Sequence, residues 1–114
     1  MNILYSTLLL LFSLFITDFM AQNSDSNFVQ FMMTNVDSRE KVLEIDQFIR
    51  NQQGIEISRA DVVSKKYLCI YDSESGIDRG TFEIWMQELG VEIKCFREGI
   101  FGTDRIIDQK LDCE

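Results

Sequence analysis

Phe28-Val29-Gln30-Phe31-Met32-Met33 runs directly into Thr34-Asn35-Val36-Asp37-Ser38-Arg39-Glu40. The first part is aromatic and β-prone, as a strand that packs in a sheet must be. Asp37 then offers an N-cap, and Glu40 stands three residues on, the spacing of a capping box. Behind it Val42, Ile45 and Ile49, with neighbouring Phe48, recur at helical spacing. Glu40, Lys41, Glu44, Gln47 and Asn51 fill the other side. A strand over 28–33 therefore turns through Met33-Thr34-Asn35-Val36-Asp37-Ser38 into an amphipathic helix that Gly54 closes as a left-handed cap.

The rest of the chain adds two strands, a second helix and a fourth strand. Residues 55–63 predict a second strand, Ser64-Lys65-Lys66 a polar turn, and Tyr67 to Tyr71 a third strand. The Asp72-Ser73-Glu74-Ser75-Gly76 loop is turn-like, and Asp78 caps a second helix with Phe82, Trp85 or Met86, and Leu89 on its apolar face. Gly90 lies just past that helix, and residues 91–96 predict a fourth strand with Val91, Ile93 and Cys95 on one side. Strand, helix, strand, strand, helix, strand is two βαβ units joined by a hairpin. Connection rules fold that order into an α+β, ferredoxin-like βαββαβ sandwich: a four-stranded antiparallel sheet with two helices on one face. The expected sheet order is 4-1-3-2, followed by a C-terminal tail.

Over residues 28–96 the pattern resembles the heavy-metal-associated, copper-chaperone-like domain family, whose strand-to-helix junction carries Gly-Met-Thr-Cys-x-x-Cys. Met33-Thr34 matches it. Gly54-Ile55-Glu56, Ser64-Lys65-Lys66 through Tyr71-Asp72, and Leu89-Gly90-Val91 resemble other scaffold segments of the family. Asn35 stands at the first cysteine position and Ser38 at the second. The family's paired thiolates hold Cu(I) because they are soft and anionic, whereas an amide and a hydroxyl are hard, neutral, weak donors. The resemblance thus implies the scaffold with a degenerate metal site at Asn35 and Ser38, no metal and no cofactor. It also implies that Met33 packs inward beneath the loop. Gln30 falls where the family prefers an apolar residue.

Residues 1–21 read as a signal peptide. Ile3 to Ile16 is an apolar run of h-region length, short of a membrane span, ended by Asp18 and followed by Ala21 as a small residue for cleavage. The n-region lacks Lys and Arg, and Phe19 is not small at its position, so an uncleaved N-terminal anchor is the alternative. The expected layout is signal peptide 1–21, polar linker 22–27, ferredoxin-like domain 28–97 and tail 98–114. Export to a periplasmic or extracellular space follows, with no stable membrane span after cleavage. A net charge of −8 repels phosphate backbones and argues against nucleic-acid binding. The absence of histidine removes the commonest general base and rules out a Ser/His/Asp triad.

Three cysteines in an exported chain allow one disulfide and one free thiol. Cys69 and Cys95 lie on strands separated by strand 1, about 10 Å apart at ~4.8 Å per strand, which exceeds disulfide reach. Cys113, in the tail, can reach either. The favoured pair is Cys95–Cys113, because strand 4 is an edge from which the tail departs. Cys69 is then a small buried hydrophobe.

With Tyr67, Cys69 and Tyr71 turned to the helices, Leu68 and Ile70 face the other way, together with Met32 or Phe31. That second sheet face is apolar where water-facing residues would be ordinary. Either the tail, with Ile100, Phe101, Ile106 and Ile107, folds across it, or a partner does: another protein, or a second copy in a homodimer. Asp72, Glu74 and Asp78 do not have calcium-loop spacing and read as turn and cap residues. The function expected is a non-enzymatic binding module. The alternative is a soft-metal carrier using Cys69, Cys95 or Met33 in a geometry unlike the family's.

Overall fold

The computed structural model describes residues 25–108, 111 and 113. The signal-peptide expectation and the linker up to residue 24 lie outside these residues, while the first strand begins at Ser26, inside the linker expected over 22–27. Among the described residues no helix is long and apolar enough to cross a membrane. The elements are β1 (Ser26–Met33), α1 (Arg39–Arg50), β2 (Ile55–Ala60), β3 (Lys66–Asp72), α2 (Arg79–Glu88) and β4 (Ile93–Ile100). The four strands form one antiparallel sheet in the order β2-β3-β1-β4, the βαββαβ sandwich expected from the sequence.

The core lies between the sheet and the helices. Val29, Phe31 and Met33 of β1 and Tyr67, Cys69 and Tyr71 of β3 face Val42, Ile45 and Ile49 of α1 and Phe82 and Met86 of α2. Phe31 sits at its centre, stacked on Tyr67 at 4.7 Å and on Phe96 at 5.9 Å between ring centroids. The alternation of β1 therefore sends Phe28, Gln30 and Met32 to the opposite face, beside Leu68 and Ile70. Phe28, Gln30, Met32 and Ile70 are all buried there.

Several boundaries differ from the expectation, each for a local reason. The N-cap of α1 is Ser38, not Asp37: its hydroxyl accepts from the Lys41 amide at 3.1 Å. Asp37 is instead drawn aside into an ion pair with Lys65 at 2.6 Å. Helix α1 ends at Arg50 with Asn51 as its C-cap, so Gly54, at φ +92°, serves the turn into β2 instead of closing the helix. Strand β2 stops at Ala60, where Asp61 takes over a turn whose carboxylate accepts from Val63 and Ser64. Gly90 does close α2: its amide donates to Gln87 and that of Val91 to Met86, the Schellman pattern.

The largest departure is in β4. It runs to Ile100, past the expected domain end at 97 and into the expected tail. Its register against β1 slips between Gln30 and Met32, which pair with Arg97 and Lys94. One extra residue is thus accommodated on β4, and Cys95 takes a left-handed backbone with φ +59°. Ile93 and Phe96, three apart, both pack against the core, whereas Cys95 leaves the side it was expected to share with Val91 and Ile93. A bulge of this kind leaves no clean alternation in the sequence.

Both outer strands of the sheet are blunted. On β2, the Ser58 carbonyl accepts from Arg50 at 2.8 Å and the Ala60 amide donates to Asp46 at 3.1 Å, both groups reaching over from α1. On β4, the bulge interrupts one end, and near the other the Ile100 amide donates to the Asp104 carboxylate at 2.7 Å. Capped edge groups cannot template another strand.

Candidate functional site

The junction between β1 and α1 is the first candidate. Met33 and Val36 are fully buried beneath it. Asn35 spans the gap to the start of β4: its amide nitrogen donates to the Gly90 carbonyl at 2.9 Å, and its oxygen accepts from the Glu92 amide at 2.8 Å. The Thr34 amide donates to Glu92 at 2.9 Å and the Met33 amide to Lys65 at 2.7 Å. Lys65, held in a left-handed conformation at φ +66°, reaches the Val36 carbonyl and the Asp37 carboxylate with its ammonium group. The loop is therefore stitched on two sides, to β4 by Asn35 and to the β2–β3 turn by Lys65.

The two residues at the expected ligand positions are thus both engaged in the scaffold. Ser38 satisfies an orphan amide of the first turn of α1. Asn35 stands in for a peptide group in the junction with β4. Replacing Ser38 by Ala should lower stability by about 1 kcal/mol, the usual cost of an N-cap. Asn35→Ala should cost a similar ~1 kcal/mol because both its bonds are solvent-accessible. Urea melts of the two variants check both values.

The cysteines do not converge on the loop. Cys69 is fully buried under the helices, and burial pushes its thiol up to about 12, so it stays protonated at neutral pH. Cys95 and Cys113 form a disulfide with a Cα separation of 5.4 Å. Among the described residues no group of three or more Cys, Asp or Glu is placed to hold a metal ion. The acidic residues before α2 serve the fold: Asp78 and Thr81 form a reciprocal capping box, and Asp72 accepts from the Glu74 amide at 3.1 Å.

Beside the junction lies a cleft of about 480 Å³, lined by Thr34, Ser64, Lys65, Lys66 and Lys94 among others, with the exposed Val63 at its rim. Three lysines line it together with Asp108, but Lys65 already pairs with Asp37, and Lys66 donates to tail carbonyls.

The second candidate is the sheet face carrying Leu68 and Ile70. The tail lies on it. Gln30 grips the tail backbone from both sides of its amide, donating to the Ile107 carbonyl at 2.9 Å and accepting from the Ile107 amide at 3.0 Å. Lys66 donates to the carbonyls of Ile107 and Asp108, and Arg97 also donates to the Gln30 oxygen. Leu111 is buried, and the Cys95–Cys113 bond ties the tail down beyond it. Of the two covers expected for this face, the chain's own tail is present at Ile107, whereas Ile100, which ends β4, and Phe101 are exposed and do not cover it.

A further buried site had no counterpart in the sequence reading. Asp46, almost wholly buried in α1, accepts from the Ser58 hydroxyl at 3.0 Å and from the Ala60 amide, and Ser58 in turn bonds the Tyr67 hydroxyl at 2.7 Å. Desolvation raises the Asp46 carboxyl above its ordinary value, opposed by the bond from Ser58 and the charge of Arg50. The signal available was Asp46 itself, a charged residue beside Ile45 on the apolar stripe. Periodicity reads such a residue as the stripe's margin.

Measured against solved structures, this arrangement of strands and helices matches the yeast copper transporter domain Ccc2a, determined in solution in its apo and Cu(I)-loaded states. The fold is the α+β, ferredoxin-like sandwich. The TM-score is 0.53 and the identity 13%, over 60% of this chain and 92% of that one. At that identity the likeness is one of fold alone. No protein-family model matches the sequence, and no curated protein does.

Proposed function

We propose that this chain is a small exported, non-enzymatic binding module, built on a heavy-metal-associated-like scaffold whose metal loop has become a structural joint. The observation that carries this reading is the double commitment of Asn35 and Ser38. The first bridges Gly90 and Glu92, and the second caps α1. A loop whose ligand positions hold the scaffold together has no pair of soft anions for Cu(I). A structural disulfide suits an oxidising compartment, in keeping with the apolar N-terminal run. The partner is then another protein or a second copy, met through a surface and not through a metal.

Cu(I) titration with a chromophoric competitor tests the proposal. The oxidised full chain should show no site tighter than micromolar, and the Asn35→Cys/Ser38→Cys double variant should gain one. Tight binding by the unaltered protein, lost on Cys69→Ser or Met33→Leu, would overturn it in favour of a soft-metal carrier.

A further inference from the structure

The sheet face treats the tail as a ligand. Gln30 is almost completely buried on a face that it shares with Phe28, Met32, Leu68 and Ile70, with Lys66 and Arg97 beside it. Its amide is oriented to pair with a peptide unit of an extended segment, donating to and accepting from Ile107. Lys66 adds a second backbone contact at Asp108, so the polar recognition is of main chain, while Ile106, Ile107 and Leu111 supply apolar contact area. That is how proteins recognise an extended peptide: main-chain bonds for affinity, side-chain seats for specificity. None of these contacts depends on the segment belonging to the same chain. The segment follows a turn at Phe101–Asp104, in which Gly102 supplies a left-handed residue at φ +89°.

We propose that this face is a tail-binding surface, locked by the Cys95–Cys113 disulfide, and that on reduction it takes the tail of a second copy in exchange for its own. The second copy is the occupant because it carries the same segment, and so offers the same backbone bond to Gln30 and the same apolar residues. The proposal deepens the reading of the chain as an interaction module by naming the partner. It is independent of the Cu(I) result, which reports on the opposite question. While the disulfide is closed the tail is covalently returned to its own face. Once it is open, only the effective concentration of a tethered segment, on the order of millimolar for a short linker, favours the intramolecular arrangement.

The chemistry can trap the exchange. A dithiol such as dithiothreitol donates two electrons and two protons to the Cys95–Cys113 bond, giving two thiols and its own cyclic disulfide. Oxidised glutathione then accepts a thiolate attack from Cys95, forming a mixed disulfide and releasing one glutathione. The Cys113 thiolate of whichever tail is docked attacks the Cys95 sulfur and releases the second glutathione. The full chain is reduced, reoxidised at concentrations up to roughly millimolar, and read by non-reducing gel, light scattering and disulfide mapping. The expected result is a covalent dimer whose share rises with concentration and whose link joins Cys95 to Cys113. Ile107→Pro removes the tail amide that Gln30 accepts from and leaves the sheet untouched. It should cut the docked population about fivefold and scatter the links among Cys95–Cys95, Cys113–Cys113 and Cys95–Cys113. Monomer at every concentration overturns the proposal, and so does a dimer whose linkage pattern is the same with and without Ile107→Pro.

Discussion

Asp46→Ala is expected to destabilise the protein by about 3 kcal/mol, and by roughly 15 °C in Tm for a domain of this size. The carboxylate is the acceptor for both the Ser58 hydroxyl and the Ala60 amide, and it faces Arg50 at 3.9 Å. Truncation leaves a buried amide without a partner and opens a gap between α1 and β2. Asp46→Asn keeps an oxygen in place and should cost about 1 kcal/mol or less. The pair of variants also separates hydrogen bonding from charge. Because the folded-state carboxyl lies above its ordinary value, the folded state binds the proton more readily than the unfolded chain. The contribution of Asp46 to stability is therefore fully present below the ordinary aspartate range and is lost as pH rises through the raised value. Asp46→Asn should abolish that slope, so the advantage of wild type over Asp46→Asn should grow on acidification. Urea melts at several pH values between the acid range and neutrality measure it. A difference that shrinks or reverses as pH falls is the outcome this account forbids, since it would assign other groups the leading role.

Cys113→Ser is expected to cost about 3 kcal/mol, the chain-entropy value for a closed loop of this length. The bond spans a sequence separation of 18. The loss should be accompanied by a change that a core substitution would not produce. With the tail free to leave, Phe28, Met32 and Ile70 become accessible, and the protein should bind a hydrophobic dye while its circular dichroism stays native. Cys69→Ala, made in the fully buried core position, should shift the melting midpoint without raising dye binding. Chemical melts paired with dye fluorescence, with and without reductant, separate the two. Wild-type protein in reductant should behave as Cys113→Ser does.

The sandwich was legible because its elements carry strong periodicity. Val42, Ile45 and Ile49 mark α1, and the alternation through Tyr67, Cys69 and Tyr71 marks β3. The tail's position was not decidable from the sequence, because an apolar face calls for a cover without naming it. Gln30 held the clue. Read as a departure from the pattern of β1, it is the residue that recognises Ile107. The bulge at Cys95 was hidden because one added residue shifts the alternation without leaving a glycine to announce it. The exchange of cap from Asp37 to Ser38 was hidden for a different reason. Both are good caps, and the choice between them was settled by Lys65, distant in sequence and adjacent in space.

The capping of β2 by Asp46 and Arg50, and of β4 by its bulge and Asp104, bears on what such a molecule can become. A sheet with open borders grows sideways, one copy after another, with nothing to stop it. Here side chains of the fold already hold backbone groups on both borders, which opposes growth by that route. Association of this chain is then left to a face or a tail, each of which can be filled only once in each copy.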